Sequence, residues 1–474
     1  MNKIMEQKDF DFGLVGLGVM GRNFILNVAD NQFKAFGYDL DPEKVSALIE
    51  EGGNPDQVNA SSDLATFVGA LSSPRKIMLL VPAGKIVDQV IESLLPHLDK
   101  GDIIIDGGNS FYTDTDRREA YLKGKGLHFF GSGVSGGAKG ARRGPSIMPG
   151  GDKEAYEYVR PIFEAVSAKY KGEPCVAYLG PKSAGNYVKM VHNGIEYAMM
   201  QLTSEIYDLL KKSADLSNDE LHEVFASWNQ GRLQSFLVEI TSEIFLQQDE
   251  LTEARLVDVI LDKAKQKGTG KWTSQNAMDL GIPVPTIDMA VSMREISALK
   301  EDRVKADELY DRPAVQPVEK VQLIEQAEKS LYFSFILSYA QGLNQLAEAS
   351  QEYGYELNMS QIAKIWRAGC IIRAGLLADI ADAFEANPGL TNLLLAPSFV
   401  KQVQETLPAV RETVAFAAKS GVPVPGLFSA LSYFDAFTSS KLPLNLIQAQ
   451  RDHFGSHTYE RIDREGIFHT EWGA

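Results

Sequence analysis

The chain has 474 residues, which at ~100 to 200 residues per domain makes two or three domains and excludes a single small binding module. Hydrophobic residues make up 44% and charged residues 23%, with no low-complexity tract, so extended disorder is excluded as well. An excess of 63 acidic over 47 basic side chains leaves a net charge of −16, which repels nucleic acid and acidic lipid, so any anionic ligand must be captured by local cations.

Met1 to Asp11 is polar and lacks the apolar run of a signal peptide. No stretch approaches the ~20 apolar residues of a membrane span. Cys175 and Cys370 stand far apart and belong to neither a C-x-x-C pair nor a zinc-type spacing. A reducing, cytoplasmic setting is expected, with no membrane partner and no structural metal.

From Phe10 to about Gly180, short apolar runs alternate with helical segments. Phe12–Val15, Ala35–Tyr38, Ile77–Val81, Ile103–Ile105 and His128–Phe130 read as buried strands of a parallel α/β sheet. Between the first two strands, Gly16-Leu17-Gly18-Val19-Met20-Gly21 is G-x-G-x-x-G and opens a helix, Val19 to Ala29. A glycine turn between strand and helix is the context that a dinucleotide site requires: Gly16 for the turn, Gly18 for approach to the pyrophosphate, Gly21 for helix packing.

Asp39 ends the second strand, 18 residues after Gly21, where a carboxylate accepts the ribose hydroxyls of NAD. Leu40 and Asp41 follow without an arginine, so a 2′-phosphate would face carboxylates, and NAD is expected over NADP. Asp41, before Pro42, also reads as a helix cap. Further on, Gly131-Ser132-Gly133-Val134-Ser135-Gly136-Gly137 follows a strand end and offers backbone N–H groups and the Ser135 hydroxyl to an anion, or is simply a flexible loop.

After Pro181 the strand pattern stops, and apolar residues at helical spacing predict an all-α region. Lys189, His192, Asn193, Glu196 and Tyr197 fall at i, i+3, i+4, i+7 and i+8, one polar stripe on a helix otherwise apolar, so the stripe lines a cavity. A lysine and a carboxylate on one face can divide base and acid roles if burial lowers the lysine pKa. Within this half the sequence repeats. Gly281-Ile-Pro-Val-Pro285 returns as Gly421-Val-Pro-Val-Pro425, and Leu216–Leu237 matches Leu357–Ala378. These offsets predict a duplicated helical unit, about 183–300 and 325–440, of which only the first copy carries the polar stripe. Lys267-Gly268-Thr269-Gly270-Lys271 has phosphate-binding chemistry but is not a nucleotide P-loop. Arg294, Arg451 and His457 read as isolated cations. From Leu444 the chain is polar and aromatic, too short for its own core, and must lie on something else. The expected division is therefore 1–182, 183–440 and a tail, 441–474.

Taken together, Gly101-Asp-Ile-Ile-Ile-Asp-Gly-Gly-Asn109, Gly144-Pro-Ser-Ile-Met-Pro-Gly-Gly151, Val188-Lys-Met-Val-His-Asn-Gly-Ile-Glu-Tyr197, Lys267-Gly-Thr-Gly-Lys-Trp-Thr273, Ile447-Gln-Ala-Gln-Arg-Asp452 and Phe468-His-Thr-Glu-Trp472 resemble the 6-phosphogluconate dehydrogenase family over essentially the whole chain. The resemblance implies oxidative decarboxylation of 6-phosphogluconate to ribulose 5-phosphate and CO2 without a metal, in the pentose phosphate pathway or gluconate catabolism. It implies that Lys189 takes the C3 hydroxyl proton and that Glu196 protonates C1 of the enediol. It further implies that Asn109, Ser135, Gly136, Gly137, His192 and Asn193 hold the sugar acid, and that Tyr197, Lys267, Thr269 and Arg294 hold its phosphate. Arg451 and His457 would reach the phosphate in the neighbouring subunit of a homodimer, and Val81, Pro82, Ala83 and Asn109 would line the cofactor beside the glycine turn.

Four departures from the family pattern stand out. Asp39-Leu40-Asp41 replaces Asn-Arg-Ser or Asn-Arg-Thr, Pro82 replaces a lysine, Asn186 replaces a histidine, and Ala138-Lys139 replaces two acidic residues. The first two point to NAD. A shorter-substrate β-hydroxyacid dehydrogenase would share the glycine turn and the lysine helix but needs neither the second helical copy nor the basic tail. A dinucleotide sensor without turnover would not need Lys189 and Glu196.

Overall fold

The computed structural model describes residues 10–473, so most of the polar stretch Met1 to Asp11 lies outside the described residues. The N-terminal part is a seven-stranded sheet: β1 Phe12–Val15, β2 Ala35–Tyr38, β3 Val58–Ser61, β4 Lys76–Leu79, β5 Ile103–Asp106, β6 His128–Val134 and β7 Ile147–Gly151. The order is β3-β2-β1-β4-β5-β6-β7. Strands β1 and β5 are buried along their whole length, which is why they read as unbroken apolar runs. One apolar cluster covers each face of the sheet. The order reverses between β1 and β4, so a ligand crevice opens beyond their carboxyl ends, where the turns after β1, β4 and β5 converge.

The sheet corrects the sequence reading in three places. It is not wholly parallel, because β7 runs antiparallel to β6, with Val134 opposite Ile147 and Phe130 opposite Gly151. The helix joining them, Gly137–Arg143, has 7 residues and spans only about 10 Å against about 23 Å for β6, shorter than a usual parallel crossover, so β7 starts at the end where β6 stops. Strand β4 stops at Leu79, which leaves Val81 in the following turn. Strand β6 continues through Val134, so the first four residues of the glycine loop belong to the strand.

The helical part begins with Ala184–Ala214, whose long counterpart is Lys320–Tyr353. After the first come Asn218–Trp228, Phe236–Leu246, Thr269–Asp279 and Pro285–Ala298. After the second come Met359–Trp366, Leu376–Ala386, Pro397–Lys419 and Pro425–Phe437, in the same order. The two copies interlock through their helix caps. Gln341 of the second long helix accepts from Thr286 N at 3.0 Å, while Glu205 of the first accepts from Gly426 N at 2.7 Å and Leu427 N at 3.0 Å. Each long helix thus satisfies orphan N–H groups of the other copy's proline-led helix, and a single apolar core spans both copies. Among the described residues no helix is long and apolar enough to cross a membrane.

Candidate active site

Helix Ala184–Ala214 lies directly on β6 and β7. A Cβ at Gly133 would stand 2.4 Å from Lys189 Cβ, and one at Gly131 1.7 Å from Asn186 Oδ1. Glycine at these two strand positions is what lets the helix come so close. The polar stripe is buried: Lys189 is 6% exposed, His192 0%, Asn193 9% and Tyr197 7%. Only Glu196 is partly open, with 19% of its side chain exposed.

Burial lowers the Lys189 pKa from its ordinary value, against the opposing pull of Glu196 and Cys370. Lys189 Nζ has no hydrogen-bond partner among the described residues, which leaves it free to meet a ligand. Burial raises the Glu196 pKa, with Lys189 and Arg294 pulling the other way. His192 is driven well below its usual range, first by burial and then by Lys189. It is therefore a neutral imidazole, with Nε2 3.3 Å from Ser135 Oγ, Nδ1 3.0 Å from Asn193 Oδ1 and 3.8 Å from Glu196 Oε2. Trp366 of the second helical copy meets the imidazole edge-on at 5.6 Å. The adjoining turn also binds the glycine segment, since Ser146 N donates to Gly369 O at 2.7 Å and a Cβ at Gly136 would stand 2.6 Å from that same oxygen. The second copy, which lacks the polar stripe, therefore supplies the floor of the site.

Along the same helix, Asn193 Nδ2 donates to Thr269 Oγ1 at 3.0 Å. Thr269 opens helix Thr269–Asp279 behind Gly268, whose φ is 102°. The Arg294 guanidinium stacks 3.6 Å above the Tyr197 ring and donates to Lys265 O at 2.9 Å. Arg294 is therefore not an isolated cation, because it belongs to the Tyr197 and Thr269 end of the stripe. Lys267 is exposed beside it. Arg451 and His457 are exposed in the tail, where Arg451 donates to Gln448 Oε1 at 3.1 Å.

At the other end, Gly16 has φ 98°, nothing lies within 4 Å of a Cβ placed at Gly18, and a Cβ at Gly21 would stand 1.9 Å from Gly16 O. The helix behind the turn, Val19–Asp30, has no side-chain cap and no acidic residue in its first turn, so its N–H groups are open to an anion. Leu17 is buried and Met20 half-buried, while Val19 is exposed. This turn fits a dinucleotide pyrophosphate. Asp39 is fixed beside it, Oδ2 accepting from Leu17 N at 2.8 Å and Oδ1 from Asp41 N at 3.0 Å. Asp41 caps helix Pro42–Gly52, as its position before Pro42 indicates. The structure adds Lys44, which the sequence reading passed over: its Nζ lies 3.5 Å from Asp39 Oδ1 and 3.7 Å from Asp41 Oδ2. Leu40 points outward, 81% exposed. Pro82, Ala83 and Asn109 are exposed and Val81 is half-buried in the turns that face this crevice.

Comparison with known proteins decides the family. The pattern described as "NAD binding domain of 6-phosphogluconate dehydrogenase" matches residues 11–180, and "6-phosphogluconate dehydrogenase, C-terminal domain" matches 185–472. The chain belongs to the 6-phosphogluconate dehydrogenase family. A relative from Bacillus subtilis, named 6-phosphogluconate dehydrogenase, NADP(+)-dependent, decarboxylating, is 54% identical over 97% of this chain and 98% of its own length. The Escherichia coli K12 decarboxylating enzyme is 51% identical over the same shares. The solved Plasmodium falciparum 6-phosphogluconate dehydrogenase superposes with a TM-score of 0.94, at 45% identity, over 98% of this chain and 100% of that one. The chain is therefore a nicotinamide-dependent decarboxylating dehydrogenase, and the sensor reading is set aside.

Two residues that brace the turns around the site carry no motif of their own. Asn186 accepts from Thr115 Oγ1 at 3.1 Å and donates to Gly108 O at 3.3 Å, which anchors the turn before Asn109. Arg118 is buried and donates to Asp106 at 3.3 Å, Asp88 at 2.8 Å, Ser110 at 3.4 Å and Gly84 O at 2.9 Å. It ties the turn after β4 to the turn after β5. Neither role is visible in sequence, since each depends on partners dozens of residues away. Among the described residues no group of three or more His, Cys, Asp or Glu side chains could hold a metal ion.

Proposed function

We propose that this chain oxidises 6-phosphogluconate to ribulose 5-phosphate and CO2, with NAD preferred over NADP. The observation that carries the reading is Lys189, a buried, unpartnered amine within reach of Glu196 and beside a neutral His192 and Ser135. When bound, the nicotinamide supplies the hydride acceptor. Residues Gly16 to Gly21 would hold the pyrophosphate, Asp39 the ribose, and Val81, Pro82, Ala83 and Asn109 the nicotinamide end.

Lys189, whose charge burial disfavours, takes the proton of the C3 hydroxyl as the C3–H bond breaks. The resulting ammonium returns that proton to the C3 carbonyl oxygen while the C1–C2 bond breaks and CO2 leaves, giving an enediol. Glu196, whose pKa burial raises, donates a proton to the carbon that lost CO2, and Lys189 takes back the hydroxyl proton to leave the ketone. Asn109, Ser135, Gly136, Gly137, His192 and Asn193 orient the sugar acid. Tyr197, Lys267, Thr269 and Arg294 hold the phosphate.

The tail favours a homodimer with exchanged tails. Helix Leu444–Gly455 and the strands Tyr459–Glu460 and Ile467–Phe468 pack on one another, while Leu446, Ile447, Phe454, Ile462 and Ile467 are exposed. A second subunit is the natural cover for these side chains, and it brings the partner subunit's Arg451 and the partner subunit's His457 to the phosphate. On this reading the chain divides as 1–182, 183–440 and 441–474.

Two experiments test the proposal. Product analysis should give one CO2 for each reduced cofactor, and reduction without CO2 would return the hydroxyacid dehydrogenase reading. Subunits carrying Lys189→Ala and Arg451→Ala should regain about a quarter of wild-type activity when unfolded and refolded together, because half the dimers then hold one intact site. A tail acting on its own subunit would give no recovery.

A further inference from the structure

The tail has no apolar core, yet it holds a fully buried carboxylate. Asp452 lies in the last turn of helix Leu444–Gly455 and is 0% exposed. Its Oδ1 accepts from Thr458 N at 2.9 Å and His469 Nδ1 at 2.9 Å, and its Oδ2 accepts from Thr470 N at 3.0 Å and Trp472 Nε1 at 2.8 Å. Its backbone carbonyl accepts from Ser456 N at 2.9 Å. One aspartate thus gathers the helix, the turn after it and the stretch that follows the final strand, and four donors saturate its two oxygens.

The turn it holds is strained. Ser456 and Thr458 have φ of 51° and 62°, in the left-handed region that side chains disfavour, and His457 stands between them. The His457 ring folds over Gly455, where a Cβ would come within 2.7 Å of Nε2, and meets Phe454 edge-on at 5.9 Å. Gln448 ties Arg451 to the turn that carries His457, donating to Thr458 O at 2.6 Å and accepting from Arg451 Nη1 at 3.1 Å. Burial opposes the charge on Asp452, but the donors of His469, Trp472, Thr470 and Thr458 outweigh it and hold the carboxyl ionised.

We propose that Asp452 is a positioning residue: it prefolds the tail so that Arg451 and His457 form one face of hydrogen-bond donors before they meet the phosphate of the substrate. The inference rests on the reading that the tail serves the phosphate end of the site. Arg451 and His457 touch the ligand, and Asp452 acts only through them. Without its four bonds the strained turn relaxes, and two flexible side chains must be ordered each time substrate binds.

The test uses Asp452→Asn, Arg451→Ala and the double variant in the full-length protein. The readouts are the KM for 6-phosphogluconate, kcat, and the inhibition constant of gluconate, a competitor that lacks the phosphate. Asparagine keeps one acceptor and turns an amide toward the donors on the other side. Asp452→Asn should raise the KM about tenfold, change kcat less than about threefold and leave gluconate inhibition within about twofold. The double variant should raise the KM by less than the product of the two single effects, since part of what Asp452→Asn costs is the Arg451 contact already lost. An unchanged KM in Asp452→Asn beside a raised KM in Arg451→Ala would overturn the positioning role and leave the tail reading intact. Additive effects in the double variant, or a parallel loss of gluconate binding, would also overturn it by showing a general structural role. An unchanged KM in both single variants would sink the tail reading and this inference with it.

Discussion

Asp39→Asn tests the ribose pocket most sharply. Asp39, Asp41 and Lys44 together carry one net negative charge, with the ammonium 3.5 and 3.7 Å from the two carboxylates. A 2′-phosphate of about two negative charges placed ~5 Å from that excess is disfavoured by about 2 kcal/mol at the dielectric of water, rising to about 7 at an effective value of 20. The lower figure applies here, because Asp41 and Lys44 are nearly half exposed and solvent screens them. Asparagine removes the excess charge while its carbonyl still accepts from Leu17 N, so the glycine turn keeps its geometry. NAD loses charge-assisted bonds to its ribose hydroxyls, about 1.5 to 3 kcal/mol. The ratio of kcat/KM for NAD to that for NADP, measured at saturating 6-phosphogluconate and fixed ionic strength, should therefore fall by roughly 400- to 5000-fold. Lys44→Gln should move the ratio the opposite way. A change of less than about threefold in Asp39→Asn, or NADP gaining in Lys44→Gln, would refute the electrostatic argument.

Other consequences are as specific. Lys189→Ala should lower kcat by roughly 10² to 10⁴ with little change in KM, and Lys189→Arg should not restore it, because a guanidinium stays protonated. Since burial lowers Lys189 and raises Glu196, the rate should fall as pH drops through the lysine limb and again as pH rises through the glutamate limb. Steady-state profiles should show Glu196→Gln without the alkaline limb, the two limbs belonging to the coupled pair. Glu205, whose carboxyl burial pushes up to about 7 from 4.5, is neutral in both states at low pH. The unfolded chain ionises first, so stability should decline between pH 4.5 and about 7 by at most about 3 kcal/mol. Urea unfolding across that window should show a flatter dependence in Glu205→Gln, and an unchanged slope would remove Glu205 as its source. Arg118→Gln strands the buried Asp106 carboxylate and should cost about 3 to 5 kcal/mol in urea unfolding, together with a raised cofactor KM. An unaffected KM would show that the turns after β4 and β5 do not depend on it.

Much of this was legible in sequence because local rules decide it. The strands β1, β2 and β5 are short apolar runs, and the five residues from Lys189 to Tyr197 follow one helical period. The glycine turn between a strand and a helix needs no distant partner. The duplication was visible because both copies keep a proline-led helix, and the structure shows why: each is capped by the other copy's long helix. What escaped notice was decided at long range. Strand β7 reads Ile-Met-Pro-Gly-Gly, a composition that argues against a strand, yet edge position accommodates its proline. Strand β3, Val-Asn-Ala-Ser, alternates too briefly to register. Lys44 sits one helical turn past Asp41, a spacing that the search for an arginine passed over. Arg294 looked solitary until the fold set it on Tyr197, and Asp452, the end of a string shared with the family, has partners only where the turn and the last residues fold back on it.

A pocket built on Asp39 is proposed to couple 6-phosphogluconate oxidation to NAD. Initial rates of 6-phosphogluconate oxidation with NAD and with NADP, measured in parallel from the absorbance of the reduced nicotinamide, test it directly. A higher kcat/KM with NAD is the predicted result. A higher value with NADP would contradict the ribose-pocket argument, and no turnover with either cofactor would contradict the substrate assignment itself.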